Sequence, residues 1–297
     1  MKPSEQKDQD VAALKAATLI ESLPWLQQFH GKVIVVKFGG NAMVDDKLKK
    51  AFAEDMAYLR WVGIKPVVVH GGGPQISERL KELGLKSEFK GGMRVTDDDA
   101  IGAVRDVLRH QISAELAELI HQAGAETEVL SGEDQHLFKA TKFMLETETG
   151  LEDIGWVGEV TQVNPRVVFE ALAEGKIPVI STVAPGLEGG LYNVNADLAA
   201  SSLAVALGAE KLLVLTDVAG LYSDWPNLDS LVSEIAADEL EELLPNLESG
   251  MIPKMQACLQ AVNGGVPQAH VIDGRQPHSI LLEIFTVSGI GTMVLPN

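Results

Sequence analysis

Short runs rich in β-branched residues alternate along this chain with longer stretches of helical periodicity. The runs are KVIVVK, KPVVVH, KIPVIS, KLLVLTD and AHVID, and helices are predicted from about Asp45 and from Pro74. Strands that alternate with helices form βαβ units, in which the strands are parallel. Because the runs are almost continuously apolar, we expect helices on both faces of the sheet. The sequence therefore predicts an α/β fold with a mainly parallel sheet.

Two segments depart from this alternation. Residues 134–165 alternate apolar and polar side chains, which predicts exposed hairpins added to the edge of the sheet. The sequence PGLEGG at 185–190 marks a change in composition, so we divide the chain into an N-terminal helix (1–31), an N-lobe (32–187) and a C-lobe (188–297). A ligand cleft is expected at the strand ends, where open α/β sheets bind ligands.

The charge of the chain restricts its partners. With a formal net charge of −18, it lacks the field of Lys and Arg that nucleic acids and anionic membranes require, so neither is predicted as a partner. The start, MKPSEQKDQD, lacks the apolar core of a secretion signal, and a cytoplasmic location is expected. The single cysteine, Cys258, is interpreted as a small buried thiol of a helix.

Two glycine-rich turns each follow a strand and precede a helix. They are KFGG (37–40) and HGGGP (70–74), whose backbone amides can hold an anion beside a helix N-terminus. The alternative is that these glycines only allow tight turns with positive φ. Neither turn has the P-loop or the Rossmann spacing. Together they favour a site for a phosphorylated ligand.

Six blocks of sequence resemble the amino acid kinase family, in the family's order. They are VIVVKFGGNAM, VVVHGGGPQI, GGMRVTDDDA, LYNVNADLAA, LLVLTDVAGLY and SGMIPKMQA, and the similarity runs from Lys32 to the C-terminus. Within the family, the blocks are most similar to the branch that phosphorylates N-acetyl-L-glutamate.

The resemblance implies a three-layer αβα sandwich with the carbamate kinase-like fold. It also implies transfer of a phosphoryl group from ATP to the side-chain carboxylate of N-acetyl-L-glutamate, the second step of arginine biosynthesis. Relatives act on aspartate, glutamate, carbamate and nucleotides, so the fold alone does not fix the substrate.

The chemistry of such a transfer needs positive charge more than it needs a base. A carboxylate nucleophile is already ionised at pH 7, and the obstacle is repulsion between two anions. Lys37 and Lys254 resemble the two lysines that stabilise the transferred group in this family, and Asp197 resembles the aspartate that orients them. The alternatives are a solvated surface lysine at 254 and a helix N-cap at Asp197.

Other residues resemble the family's substrate contacts. Arg94 would grip the α-carboxylate with its guanidinium fork, Asn193 would be its amide partner, and Gly72 and Gly73 would present backbone N–H groups. The alternative for Arg94 is an ion pair with one of the aspartates at 97–99.

The nucleotide side is assigned to six residues: Gly39, Gly40, Asn195, Thr216, Asp217 and Tyr222. ATP would bring Mg²⁺, held largely by the phosphates, and no protein metal ligand is assigned. Ser249 stands where many relatives have a glycine.

The N-terminal segment carries an apolar stripe with helical spacing, formed by Ala12, Ala16, Leu19, Leu23 and Leu26, and Pro24 should kink or end that helix. The alternative is a helix folded back on its own subunit. Arginine-inhibited members of the branch are similar here, with a kinked helix exchanged between dimers in a homo-hexamer (a trimer of dimers). His270, Glu283 and Gly289 lie on positions that match their inhibitor site for L-arginine.

Two other functions compete with this one. A non-catalytic metabolite sensor could keep the fold, although the presence of Lys37, Asp197 and Lys254 together argues against it. A kinase of another carboxylate or of carbamate is the second alternative.

Overall fold

The computed structural model describes residues 3–147, 149–287 and 289–297, with side chains from residue 10 onward. The described helices are α1 (Pro3–Glu21), α2 (Leu23–Phe29), α3 (Asp46–Trp61), α4 (Gly73–Glu82), α5 (Asp98–Asp106), α6 (Ser113–Gln122), α7 (Arg166–Ala173), α8 (Ala196–Leu207), α9 (Ala237–Leu243), α10 (Ile252–Asn263) and α11 (Ser279–Phe285). A π-helical segment, Val107–Ile112, joins α5 to α6, and short 3₁₀ helices lie at Gly40–Met43, Asp134–His136, Leu228–Ser230 and Leu244–Asn246.

The strands are β1 (Val33–Phe38), β2 (Lys65–His70), β3 (Phe89–Lys90), β4 (Met93–Arg94), β5 (Thr127–Ser131), β6 (Phe138–Thr147), β7 (Gly150–Val163), β8 (Ile177–Ser181), β9 (Val183–Pro185), β10 (Leu191–Val194), β11 (Lys211–Thr216), β12 (Glu234–Ala236), β13 (Gln268–Asp273) and β14 (Thr292–Leu295). Eight of them form one sheet in the order β12-β14-β13-β11-β1-β2-β8-β5. Neighbouring strands of this sheet are parallel, except that β14 runs antiparallel to β13. Strand β12 is parallel to β14.

The sheet lies between two layers of helices. Along β1, Val35 packs with Leu203 of α8 and Met255 of α10 on one face, whereas Ile34 and Val36 pack with α3 and α6 on the other. Because both faces are covered, the strands are apolar at nearly every position. The predicted three-layer αβα sandwich is confirmed.

The hairpin predicted for residues 134–165 exists, but its predicted location is wrong. Strands β6 and β7 pair with each other and belong to a separate four-stranded sheet, in the order β6-β7-β10-β9. Strand β7 pairs with β10, and Ile154 and Val157 pack with Met93 in a small cluster of their own. The two edge strands of the large sheet are β5 and β12 instead.

The N-terminal segment is helical and breaks where Pro24 predicts. Helix α1 ends at Glu21 and α2 begins at Leu23, with Pro24 in its first turn. The described side chains of α1 are exposed, including Leu14 (68%), Leu19 (63%) and Ile20 (70%). The alternative in which the stripe folds back on its own subunit is therefore wrong for α1, whereas Leu26 of α2 does pack against the core.

Two smaller features complete the fold. Cys258 is fully buried on α10, and burial raises the pKa of its thiol. Among the described helices, none combines the length and the apolar character that a bilayer crossing requires.

Candidate active site

Both glycine-rich turns open on one cavity of ≈ 310 Å³ at the carboxyl ends of β1 and β2. The backbone N–H of Gly71 donates to the carbonyl O of Phe38 at 2.9 Å, which ties the two turns together. Strand β10 and the first turns of α8 and α10 contribute the remaining wall. The cavity lies where open parallel sheets bind ligands.

The first turn needs glycine at two positions for different reasons. Gly39 is extended, and a Cβ there would lie 2.5 Å from Nζ of Lys37. Gly40 has φ +73°, and its Cβ would lie 2.8 Å from Oδ1 of Asp217. The same Oδ1 accepts a hydrogen bond from the backbone N–H of Asn41 at 2.9 Å. The positive-φ explanation thus applies to Gly40, and Asp217 holds this turn.

The second turn needs glycine because of packing. A Cβ on Gly72 would lie 2.4 Å from Cδ1 of Ile112 and 2.9 Å from Cδ2 of Leu108. Gly73, the first residue of α4, has open space in front of it. None of the three glycines has a positive φ, so the tight-turn explanation is wrong here. The first N–H groups of α4 have no partners within the helix and are available to an anion.

Three charged side chains meet beside these turns. Nζ of Lys37 lies 2.8 Å from Oδ1 of Asp197, and Nζ of Lys254 lies 3.5 Å from Oδ2. Lys37 and Asp197 are buried. At 2.8 Å, Lys37 and Oδ1 form a close ion pair. Burial alone would raise the pKa of Asp197, but Lys37 and Lys254 outweigh it and hold that pKa below its usual value. The group carries one net positive charge.

The structure decides between the alternatives for Asp197 and Lys254. The N-cap of α8 is Asn195, whose Oδ1 accepts from the backbone N–H groups of Asp197 (2.8 Å) and Leu198 (3.2 Å). The carboxylate of Asp197 is therefore free for the lysines, and the N-cap interpretation is wrong. The side chain of Lys254 is 20% exposed and lines the cavity, so it is not a solvated surface lysine.

Arg94 is buried on the hairpin of β3 and β4, where it lines the cavity. It donates to Oγ of Ser87 at 2.7 Å, to the carbonyl O of Gly73 at 2.7 Å and to Oγ of Ser77 at 2.8 Å. Its guanidinium lies 4.5 Å from the centre of the Phe89 ring.

These contacts use three of the five N–H groups of a guanidinium. Burial lowers the pKa of Arg94 to about 10, so the group stays charged at pH 7.

The ion pair between Arg94 and residues 97–99 does not form. Asp97 caps α5, accepting from the N–H of Ala100 at 2.9 Å, and Oδ1 of Asp98 accepts from Nε1 of Trp156 at 2.5 Å. Among the described residues, no carboxylate is paired with Arg94. A charged guanidinium held by neutral partners is suited to bind an anionic ligand.

Asn193 and Arg94 share a wall of the cavity. Nδ2 of Asn193 donates to Oγ1 of Thr96 at 3.2 Å, and Oγ1 of Thr96 donates to the carbonyl O of Arg94 at 3.0 Å. The side chain of Thr96 is fully buried and thus fixes the position of the asparagine.

The six nucleotide candidates do not all lie together. Gly39, Gly40 and Asn195 line the main cavity, whereas Tyr222 lines a second, smaller one of ≈ 70 Å³ with Trp225 and Met251. Thr216 is buried at the end of β11. The following residue, Asp217, contacts the first turn as described above.

The hairpin that carries Arg94 also contacts the turn that precedes Lys254. A Cβ on Gly92 would lie 2.9 Å from the carbonyl O of Ser249 and 3.5 Å from Cγ of Pro253. The hairpin tip and the Ser249 turn therefore close over one side of the cavity. We name this the tip contact (Gly92, Ser249 and Pro253).

The three candidate inhibitor residues surround a further cavity of ≈ 320 Å³. Nδ1 of His270 lies 2.6 Å from Oε1 of Glu283, and Oε2 of Glu283 accepts from the backbone N–H of Ile290 at 2.7 Å. Gly289 lies on the same wall with φ +57°. Burial would raise the pKa of Glu283, but His270 and the Ile290 N–H lower it on balance.

Lys211 in this cavity escaped the sequence analysis. Its Nζ lies 3.1 Å from Nε2 of His270 and also contacts Gln268. Burial lowers the pKa of Lys211 to about 8. Trp25 of α2 lines the same cavity, so the N-terminal segment borders it. A lysine at the start of a strand carries no sequence signal that separates it from a surface residue.

Within the described residues, no group of three or more His, Cys, Asp and Glu side chains is arranged to hold a metal ion.

Comparisons with known proteins agree with the geometry. The model of the amino acid kinase family matches residues 32–273. An acetylglutamate kinase of Saccharopolyspora erythraea is 59% identical over 285 residues, which cover 96% of this chain and 94% of that protein.

Solved structures share the fold. An N-acetylglutamate synthase from Neisseria gonorrhoeae, complexed with coenzyme A and N-acetyl-glutamate, aligns with a TM-score of 0.82 at 24% identity. The alignment covers 95% of this chain and 63% of the synthase, so the chain spans less than two thirds of that protein. Carbamate kinase from Giardia lamblia bound to AMP-PNP aligns with a TM-score of 0.60 at 17% identity, over 90% and 99% of the two chains.

Proposed function

Because the chain belongs to the amino acid kinase family, we propose that it is an acetylglutamate kinase. It would transfer the γ-phosphoryl group of ATP to the side-chain carboxylate of N-acetyl-L-glutamate, giving N-acetyl-L-glutamyl 5-phosphate for arginine biosynthesis. The observation that carries the proposal is the group Lys37, Asp197 and Lys254 beside two glycine turns, with an unpaired buried Arg94 in the same cavity.

The geometry suits an in-line transfer between two anions. An oxygen of the substrate carboxylate forms a bond to the γ-phosphorus while the bond between that phosphorus and the β,γ-bridging oxygen breaks, and ADP leaves. No proton has to be removed from the nucleophile. Lys37 and Lys254 neutralise charge on the transferred group, and Asp197 keeps both ammonium groups in place. The amides of the glycine turns add further donors.

Substrate recognition is proposed for the other end of the cavity. Nη2 of Arg94 donates twice and Nη1 once to the protein, which leaves Nε–H and one Nη1–H for the α-carboxylate; a fork would require the substrate to replace the hydrogen bond from Nη2 to Ser77 or to Gly73. Asn193 lies beside it and would contact the amide of the acetylated nitrogen, and Gly72 and Gly73 would bind the reacting carboxylate.

The nucleotide is proposed to span the two cavities. Gly39, Gly40 and Asn195 border the phosphate end, and the apolar cavity at Tyr222 would hold the base. Thr216 is the last residue of β11, and Asp217 follows it beside the first glycine turn. Mg²⁺ would be held by phosphate oxygens, where it neutralises charge when bound.

We also propose the division into an N-lobe (32–187), which carries Arg94, and a C-lobe (188–297), which carries Lys254. We also propose a cytoplasmic location, since the reaction consumes ATP.

A panel of substrates tests the proposed activity. With MgATP, we expect ADP release to be fastest with N-acetyl-L-glutamate and far slower with L-aspartate, L-glutamate or carbamate. A product trapped with hydroxylamine would identify the acyl phosphate. Faster turnover of aspartate or carbamate would show that the proposed substrate is wrong. No ATP consumption with any of these compounds would favour the non-catalytic sensor.

We further propose that L-arginine inhibits the enzyme by binding in the cavity at His270, Glu283 and Gly289. The cavity contains a buried carboxylate that could pair with a guanidinium, and backbone groups at Gly289 could bind the other end of the inhibitor. Trp25 gives the N-terminal segment a place on its border. Inhibition would be allosteric, with arginine binding one arrangement of the lobes better than the other.

Replacing Glu283 by alanine is expected to abolish arginine inhibition while activity without arginine stays within about threefold of wild type. The reason is that the guanidinium of the inhibitor would lose its charged hydrogen-bond partner in the cavity. Inhibition curves at millimolar arginine measure the effect. Glu170→Ala, an exposed glutamate of α7, serves as the matched control. An unaltered inhibition constant for Glu283→Ala would contradict the proposed site.

We also propose a homo-hexamer, a trimer of dimers, assembled through α1. This helix exposes Val11, Leu14, Leu19 and Ile20, and Leu23 at the start of α2 is exposed as well; such apolar patches mark protein contacts.

Removing residues 1–28 is therefore expected to reduce the mass found by light scattering from six chains to two. The cut spares Phe29, which is buried. Leu19→Glu should act in the same direction in the full chain, and Lys15→Ala should leave the assembly intact. A full-length protein that is already dimeric would refute the role of α1.

A further inference from the structure

We propose that His70 is a positioning residue for the phosphoryl-transfer site. Through the carbonyl of Gly71 and the hydroxyl of Ser113, its neutral imidazole fixes the second glycine turn so that the N–H groups of Gly72 and Gly73 face the cavity. The inference deepens the proposed function and rests on it.

The first observation is the place of His70 in the fold. It is the last residue of β2, is completely buried and directly precedes Gly71. Nδ1 lies 3.0 Å from the carbonyl O of Gly71, and Nε2 lies 2.7 Å from Oγ of Ser113. The ring thus connects the glycine turn to the first residue of α6.

The second observation is the π-helical segment that ends beside Ser113. Leu108 and Ile112 of this segment meet the position of a Cβ on Gly72, so the same segment packs directly under the turn. Oγ of Ser113 also lies 3.0 Å from the carbonyl O of Leu108. Short π-helical segments are rare and are frequent at functional sites. His70 and this segment therefore hold the turn from two sides.

The contact with Gly71 favours one tautomer of the ring. A carbonyl oxygen only accepts, so Nδ1 must carry the proton that is donated to Gly71. Burial lowers the pKa of His70 to about 4, which leaves the ring neutral at pH 7. In the arrangement that we propose, Nε2 is without a proton and accepts the single hydroxyl proton of Ser113; if that proton instead went to the carbonyl O of Leu108, Nε2 would carry a proton and donate to Ser113. A neutral ring of fixed orientation is suited to hold a turn and unsuited to exchange protons with a ligand.

A buried histidine could also serve the core alone. In that case its replacement would lower stability in proportion to the lost contacts, and kcat of the folded enzyme would not depend on which nitrogen is mimicked. Two amides separate these roles, since the amide N–H of Asn reaches the Nδ1 position and the amide of Gln reaches the Nε2 position.

The test compares His70→Asn with His70→Gln at a temperature where both are fully folded. We expect His70→Asn, which keeps the donor to Gly71, to retain kcat within about threefold. His70→Gln should lose about tenfold or more, because small displacements of positioned groups are costly in phosphoryl transfer. KM for ATP should change less than kcat. Ser181→Ala, at the adjacent end of β8, is the control for loss of a buried polar group.

Equal losses in the two histidine variants, or losses that follow their melting temperatures, would overturn the inference. An independent measurement is the ¹⁵N NMR signal of His70 in the wild-type protein, which should show a proton on Nδ1. A proton on Nε2 would overturn the inference without reference to activity. If the wild type instead failed to phosphorylate N-acetyl-L-glutamate but used another carboxylate, the proposed substrate would fail, and the histidine comparison would be run with that carboxylate.

Discussion

Lys37→Ala is expected to lower kcat about a hundredfold or more, with far smaller changes in KM. Loss of one preorganised donor to developing charge commonly costs about 2.7 kcal/mol or more of transition-state stabilisation. The effect should be large because Lys37 is buried and lies 2.8 Å from the carboxylate of Asp197. Its removal leaves that carboxylate with Lys254 alone. Steady-state kinetics with saturating MgATP measure the change.

Lys32→Ala provides a matched control for Lys37. Lys32 immediately precedes the same strand, but it is exposed and pairs with Glu210. Its replacement should leave kcat unchanged. Lys37→Ala with normal kcat and a raised KM would show that Lys37 binds substrate in the ground state instead.

Arg94→Ala is expected to raise KM for N-acetyl-L-glutamate roughly 10- to 150-fold, as loss of hydrogen bonds to a charged group costs about 1.5–3 kcal/mol. KM for ATP should change little, because Arg94 lines the main cavity, whereas Tyr222 lines the second one. Arg94→Lys keeps the charge without the fork and should recover only part of the affinity.

Arg94 also donates hydrogen bonds to Ser77, Ser87 and Gly73, so its role in stability has to be separated from its role in substrate binding. Arg79→Ala is the control, since Arg79 lies on α4 but is exposed and paired with Glu82. Melting temperatures of all three variants identify any loss of fold. A fall in kcat with unchanged KM would exchange the roles assigned to Arg94 and the lysines.

The parts of the site that sequence could predict are those carried by contiguous motifs. Each glycine turn begins at the residue directly after a strand, so the βαβ pattern places both turns at one edge of the sheet. Lys37 lies near the end of β1, and Asp197 lies just after β10 of the smaller sheet. Sequence left the reasons open at each position, however. Only the structure shows that a Cβ on Gly72 would collide with Ile112 and that Asn195, not Asp197, caps α8.

The parts that sequence missed depend on pairs far apart in the chain. His70 and Ser113 are separated by 43 residues, and Lys211 and His270 by 59. Neither pair has a spacing or a motif of its own. The hairpin of β6 and β7 was assigned to the wrong sheet for a related reason, because alternation predicts a strand but does not identify its neighbour.

The tip contact has a consequence for the fate of the product. Acyl phosphates react readily with water, and a kinase that makes one benefits from keeping it enclosed until release. The tip contact joins the hairpin of Arg94 to the turn of Lys254 through close packing of Gly92 against the Ser249 carbonyl. Among the described contacts, no ion pair strengthens it. Such a contact can part without breaking a strong bond. Product escape would then be timed by opening of the hairpin, on the microsecond to millisecond scale typical of such loops, and not by the strength of the grip on the phosphate.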